Sequence, residues 1–126
     1  MKLLILAAMG GAIGAAARYA VSVGATRLFG HGFPWGTLAV NVLGCLIMGF
    51  LIEAIALRFS VTHEVRTFLF TGILGGLTTF SAFSLDFATL VERKAHLTAA
   101  IYLGASVGLS ILALFAGLAI VRAVMQ

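Results

Sequence analysis

Charge is what this chain has least of. Only 10% of its 126 residues are Asp, Glu, Lys or Arg, whereas a soluble domain carries about 25%. With 62% hydrophobic residues and a mean hydropathy of +1.17, the deficit excludes a soluble globular protein. No basic run accompanies the net charge of +4, so the excess is not a nucleic-acid footprint. One cysteine, Cys45, excludes an intrachain disulfide. The three histidines, His31, His63 and His96, fall in three different loops, so no metal-ligand spacing exists. The glycine-rich segments lack the following Lys-Ser/Thr of a phosphate loop, and no nucleophile has a base within sequence reach. The chain does not read as an enzyme.

What is present is apolar sequence in four long blocks. A helix crossing hydrocarbon needs about 20 apolar residues. The blocks run from Leu3 to Thr26, Trp35 to Leu57, Val65 to Leu90 and Leu97 to Val121. The joining segments, Phe29–Pro34, Arg58–His63 and Glu92–His96, are short. The N-terminus has features of a signal peptide, with Lys2, the apolar run Leu3 to Met9 and then Ala15-Ala16-Ala17. Three further spans favour a first membrane helix instead. The expectation is one all-α, four-helix membrane domain over residues 1–126.

Orientation is weakly specified. Four spans put Lys2, Arg58, Arg66 and Arg122 on one side, and Arg27, Arg93 and Lys94 on the other, with Arg18 toward the latter. Lys/Arg asymmetry normally sets orientation. Near balance permits insertion both ways up. A bundle this small fills itself with its own side chains, so a conducting form implies a path between two subunits. Small residues four apart, Gly10/Gly14 and Gly104/Gly108, suit close helix packing within or between subunits.

The third block holds the most informative stretch, Gly72-Ile-Leu-Gly75-Gly76-Leu-Thr78-Thr79-Phe80-Ser81-Ala-Phe83-Ser84. Gly-Gly and Thr-Thr weaken a helix. Hydrocarbon tolerates loose backbone only where protein buries it or a polar cavity lies beside it. The third helix is therefore expected to break near its middle. Phe80 and Phe83, three apart, share a face, with Ser81 and Ser84 beside them. Ring edges are electropositive and can line an anion path without a fixed charge. Asn41, with Thr37 one turn earlier, adds amide and hydroxyl groups in the second span. Tyr102, Ser106 and Ser110 form a hydroxyl stripe on the fourth. Intramembrane polar groups are costly and mark ion pathways, and weak multi-site coordination lets an ion leave again. Arg18, about 22 Å along a straight helix from Leu3, should snorkel to the interface, drawing anions into a vestibule or pairing with a lipid headgroup. Glu53 and Asp86 lie toward span ends.

These residues resemble the CrcB/Fluc fluoride channels. The likeness rests on Gly10-Gly11-x-x-Gly14-x-x-x-Arg18-Tyr19, on Phe33-Pro34-Trp35-Gly36-Thr37-Leu-x-Val40-Asn41-x-x-Gly44, and on Thr71-Gly72-x-x-Gly75-Gly76-Leu77-Thr78-Thr79-Phe80-Ser81-x-Phe83-Ser84. It covers essentially the whole chain. The resemblance implies an antiparallel dual-topology homodimer in the cytoplasmic (inner) membrane. It implies two fluoride pathways along the dimer interface, lined by Asn41, Phe80 and Phe83, with Ser81, Tyr102, Ser106 and Ser110 as a polar track. It also implies a central Na⁺ bound by backbone carbonyls of Gly75 and Thr78 from both subunits. A small multidrug antiporter is the competing class of similar length. That class needs an acid in the first span, where this chain has Arg18 and no Asp or Glu.

Overall fold

The computed structural model describes residues 1–125. Helix α1 covers Lys2–Phe29 and α2 covers Trp35–Leu57. Gly30 closes α1 at φ +81, a left-handed conformation that glycine adopts freely, and its N–H donates to the Thr26 carbonyl. Pro34 precedes the first residue of α2, where a missing N–H matters least.

The third apolar block is one helical run in several pieces. A short helix α3, His63–Arg66, starts at Thr62, whose hydroxyl accepts from the Val65 N–H at 3.3 Å. It continues as a π-helical segment, Thr67–Leu74, and one α-turn, α4, Gly75–Leu77. Thr78 and Thr79 are extended, at φ −86, ψ 153 and φ −155, ψ 128. Helix α5, Phe80–Glu92, then restarts with Thr79 as its cap. A tight turn through Lys94, at φ +62, leads into α6, His96–Met125. Four helical runs are thus long and apolar enough to cross a membrane, with large apolar side chains such as Leu4, Ile13, Leu112 and Phe115 on the outside. This is a multi-pass membrane protein.

The third run breaks near its middle, as expected, and of the two weak pairs it is Thr78-Thr79 that leaves the helix, not Gly75-Gly76. Gly75 is helical at φ −65, ψ −35. Gly76 has a packing role: a Cβ there would meet the Gly11 backbone, with its Cα only 3.0 Å away. A Cβ at Gly14 would likewise strike the Ile73 carbonyl and the Leu77 amide, and one at Gly10 the Gly72 Cα at 2.8 Å. So α1 lies directly on the backbone of the π segment and α4, and Gly10/Gly14 packs within the subunit. On the other side α2 runs along α6, where Gly49 and Gly117 bring the backbones together. Gly104 and Gly108 have open space around them.

Two buried clusters fix the halves of the third run. Val40, Leu74 and Leu77 pack beneath the π segment. Leu38, Phe83, Leu90, Ala99 and Tyr102 pack α5 between α2 and α6.

Candidate functional site: a groove beside the helix break

Breaking a helix frees backbone groups, and in a dry interior each one left unpaired costs about 1–3 kcal/mol. Here three side chains satisfy them. The Asn41 Oδ1 accepts from the Thr79 N–H at 2.8 Å, and its Nδ2 donates to the Thr79 carbonyl at 3.1 Å. The Thr79 hydroxyl accepts from the Ala82 N–H at 3.1 Å. The Thr78 hydroxyl turns back to donate to the Leu74 carbonyl at 2.8 Å. Asn41 is therefore first a clamp from α2 onto the break. One of its two amide hydrogens remains for another acceptor.

Arg18 also reaches the break. Its Nε donates to the Gly76 carbonyl at 3.1 Å, which ties the guanidinium to the third run. Its part-buried position reflects the missing side chains of Gly10, Gly14 and Gly76, which let α1 approach so closely.

The clamp opens onto a groove of about 260 Å³ between α2, the break and α6. Asn41, Phe80, Phe83, Ser106 and Ser110 all line it. The two phenyl rings stand 5.4 Å apart, inclined at 58°. Phe83 is buried and Phe80 is 76% exposed at the rim. The Ser106 and Ser110 hydroxyls are buried yet hydrogen-bond to nothing among the described residues. Two such orphans would be a liability of about 1–3 kcal/mol each, so they are poised to donate to something that enters. Thr78, Thr79 and Cys45 also line the groove; Cys45, on the α2 face one turn after Asn41, carried no sequence signal beyond its i+4 spacing.

The remaining sequence candidates lie elsewhere. Tyr102 is fully buried, packed against Phe83 and Phe33, and its hydroxyl donates to the Asp86 carboxylate at 3.2 Å. Thr37 lines a second cavity of about 280 Å³ with Asp86, His31 and Arg93. Ser81 is exposed and paired with the Thr79 hydroxyl at 3.2 Å, and Ser84 is exposed outside the groove. Gly75 lies in the helical turn before the break and Thr78 in the break itself, and their carbonyls receive no side-chain donor among the described residues. Asp86 was missed as a partner of Tyr102, although the two sit on helices joined by a three-residue turn.

The profile of the family described as "CrcB-like protein, Camphor Resistance (CrcB)" matches residues 5–118. The chain belongs to the CrcB family. A protein named fluoride-specific ion channel FluC from Rhizobium etli strain CFN 42 is 56% identical over 119 residues, 94% of this chain and 95% of its own length. The protein of the same name from Chelativorans sp. strain BNC1 is 55% identical over 122 residues, 97% of this chain and 98% of its own length. That from Rhizobium meliloti strain 1021 is 50% identical over 123 residues, 98% of each. These CrcB-family relatives are named as ion channels, a non-enzyme class. Their aligned lengths take in the whole groove and the break.

Proposed function

We propose that this CrcB-family chain is a fluoride channel that lets the ion leave the cytoplasm passively, carrying its charge across the inner membrane. The observation that carries the reading is the groove: two tilted phenylalanine rings, one free amide hydrogen of Asn41 and two unpartnered serine hydroxyls converge there. All are neutral hydrogen-bond donors or electropositive ring edges, suited to an anion that must bind and then leave. The groove is open along one side, so a second copy, inverted in the membrane, closes it, and two copies make two paths. The near balance of Lys and Arg across the bilayer supports that arrangement. The relatives' printed name supports the choice of fluoride.

A structural Na⁺ between the two copies belongs to the same reading. Five carbonyls run from Gly75 to Thr79, and four of them, all but that of Leu77, matter here. That of Gly76 is taken by Arg18 and that of Thr79 by Asn41, leaving those of Gly75 and Thr78 for a hard cation, which favours oxygen ligands. The ion would neutralise carbonyl dipoles where the two breaks meet.

Liposomes loaded with fluoride test the channel. On adding a potassium ionophore, fast efflux at a fluoride electrode, with little release from chloride-loaded vesicles, is the expected result. Absence of efflux from folded protein in sodium buffer would refute it. The antiporter alternative is not favoured, because α1 holds no acid to exchange protons.

A further inference from the structure

The groove has a definite end. On α2, Asn41, Cys45 and Gly49 share one face at four-residue spacing. At Gly49 the α2 backbone sits directly on the Leu114 carbonyl of α6, so the space closes there. The last α2 side chain before that closure is Cys45, half-buried and free. Across from it stand Ser106, 6% exposed, and Ser110, both with unpartnered hydroxyl oxygens. A soft sulfur ligand and two oxygen donors without partners thus line one narrow end of the groove.

We propose that Cys45 is a binding site for a soft, thiophilic monovalent metal cation, and that occupancy there stops ions passing through the groove. Thiolate sulfur selects such ions over hard ones. As the metal–sulfur bond forms, the thiol gives its proton to water, so neither oxidant nor reductant is required. The bound ion fills the space next to Asn41. It also turns the Ser106 and Ser110 oxygens toward itself as lone-pair donors, which removes their hydrogens from the path. The site stands on the cysteine and serines alone; the block rests on the channel reading above.

Because the chain has one cysteine, the protein as it exists is already its own single-thiol probe. Silver nitrate in chloride-free buffer is the test ligand. Thiol titration of the purified protein should show the Cys45 thiol consumed by silver and returned by a dithiol chelator. In fluoride-loaded liposomes silver should abolish most efflux, with recovery on chelation. Cys45→Ser and Cys45→Ala, each measured against its own silver-free rate, should keep that rate. A thiol that silver leaves free overturns the site. Equal silver sensitivity in the variants, or silver taken up with no change in efflux, overturns the block. Absence of efflux before silver is added fails the channel reading and the block with it, while the titration still decides the site.

Discussion

In the proposed channel single residues would carry the ion's contacts, and two of them separate contact from scaffolding. Phe83 is buried and Phe80 lies at the rim, 5.4 Å away. Phe80→Ile or Phe83→Ile keeps an apolar side chain but removes the electropositive ring edge. Fluoride efflux should fall sharply in each while gel filtration of the purified protein is unchanged; full efflux in both would remove the aromatic role. Asn41 behaves differently because both ends of its amide are bound to Thr79. Asn41→Ala leaves an N–H and a carbonyl unpaired and should cost about 1–3 kcal/mol per group. A lowered unfolding midpoint in detergent, together with lost efflux, is expected. Loss of efflux at unchanged stability would assign Asn41 to the ion alone.

At the scale of elements, the break is a junction between α2 and the third run. A Cβ on Gly44 would collide with the Thr78 methyl, Cγ2. Without that methyl the nearest atoms would be Leu77 Cδ2 at 3.7 Å and Thr78 Cβ at 3.8 Å, ordinary contacts. Gly44→Ala should therefore destabilise the fold by about 1–3 kcal/mol. Thr78→Ser, which keeps the hydroxyl bonded to Leu74, should leave function largely intact, and the double variant should regain most of the loss as a coupling of about 0.5–3 kcal/mol. Additive losses in equilibrium unfolding would place the strain elsewhere.

The same junction shows what the sequence could and could not tell. The second span, Trp35–Leu57, coincides with α2, and the other three fall within helical runs one to four residues longer at each end. Apolar length alone marks them. A break near the middle of the third span is legible too, but local propensity does not say which weak pair opens: Thr78-Thr79 does, whereas Gly76 admits α1. Nor did composition signal the π turn of Thr67–Leu74. Of the groove, Asn41, Phe80, Phe83, Ser106 and Ser110 were legible as polar or aromatic exceptions in greasy helices. The Asn41–Thr79 and Arg18–Gly76 bonds span 38 and 58 residues, and local spacing holds no trace of such pairings.

For the whole molecule, the outside of the bundle matters as much as the inside. Gly14 is packed on backbone and Gly108 faces open space. Gly14→Leu should therefore abolish folding, whereas Gly108→Leu should fold as a chain and disturb only assembly. Native mass spectrometry, compared with helical content by circular dichroism, separates the two; loss of fold in Gly108→Leu would count against an open face there. The balanced Lys/Arg distribution predicts that a C-terminal tag is found on both sides of the membrane in similar amounts, read by protease protection in right-side-out vesicles. A tag confined to one side would exclude inverted pairing. One more consequence follows from the bonds around Thr79. Irregular backbone in a membrane usually serves as a hinge, yet this stretch is pinned by Asn41 from α2 and by Arg18 from α1. Its freed backbone groups are already committed to neighbouring helices. In the proposed channel, traffic past so committed a backbone would be paced by how readily the ion sheds its water, and the temperature coefficient of efflux should be shallow.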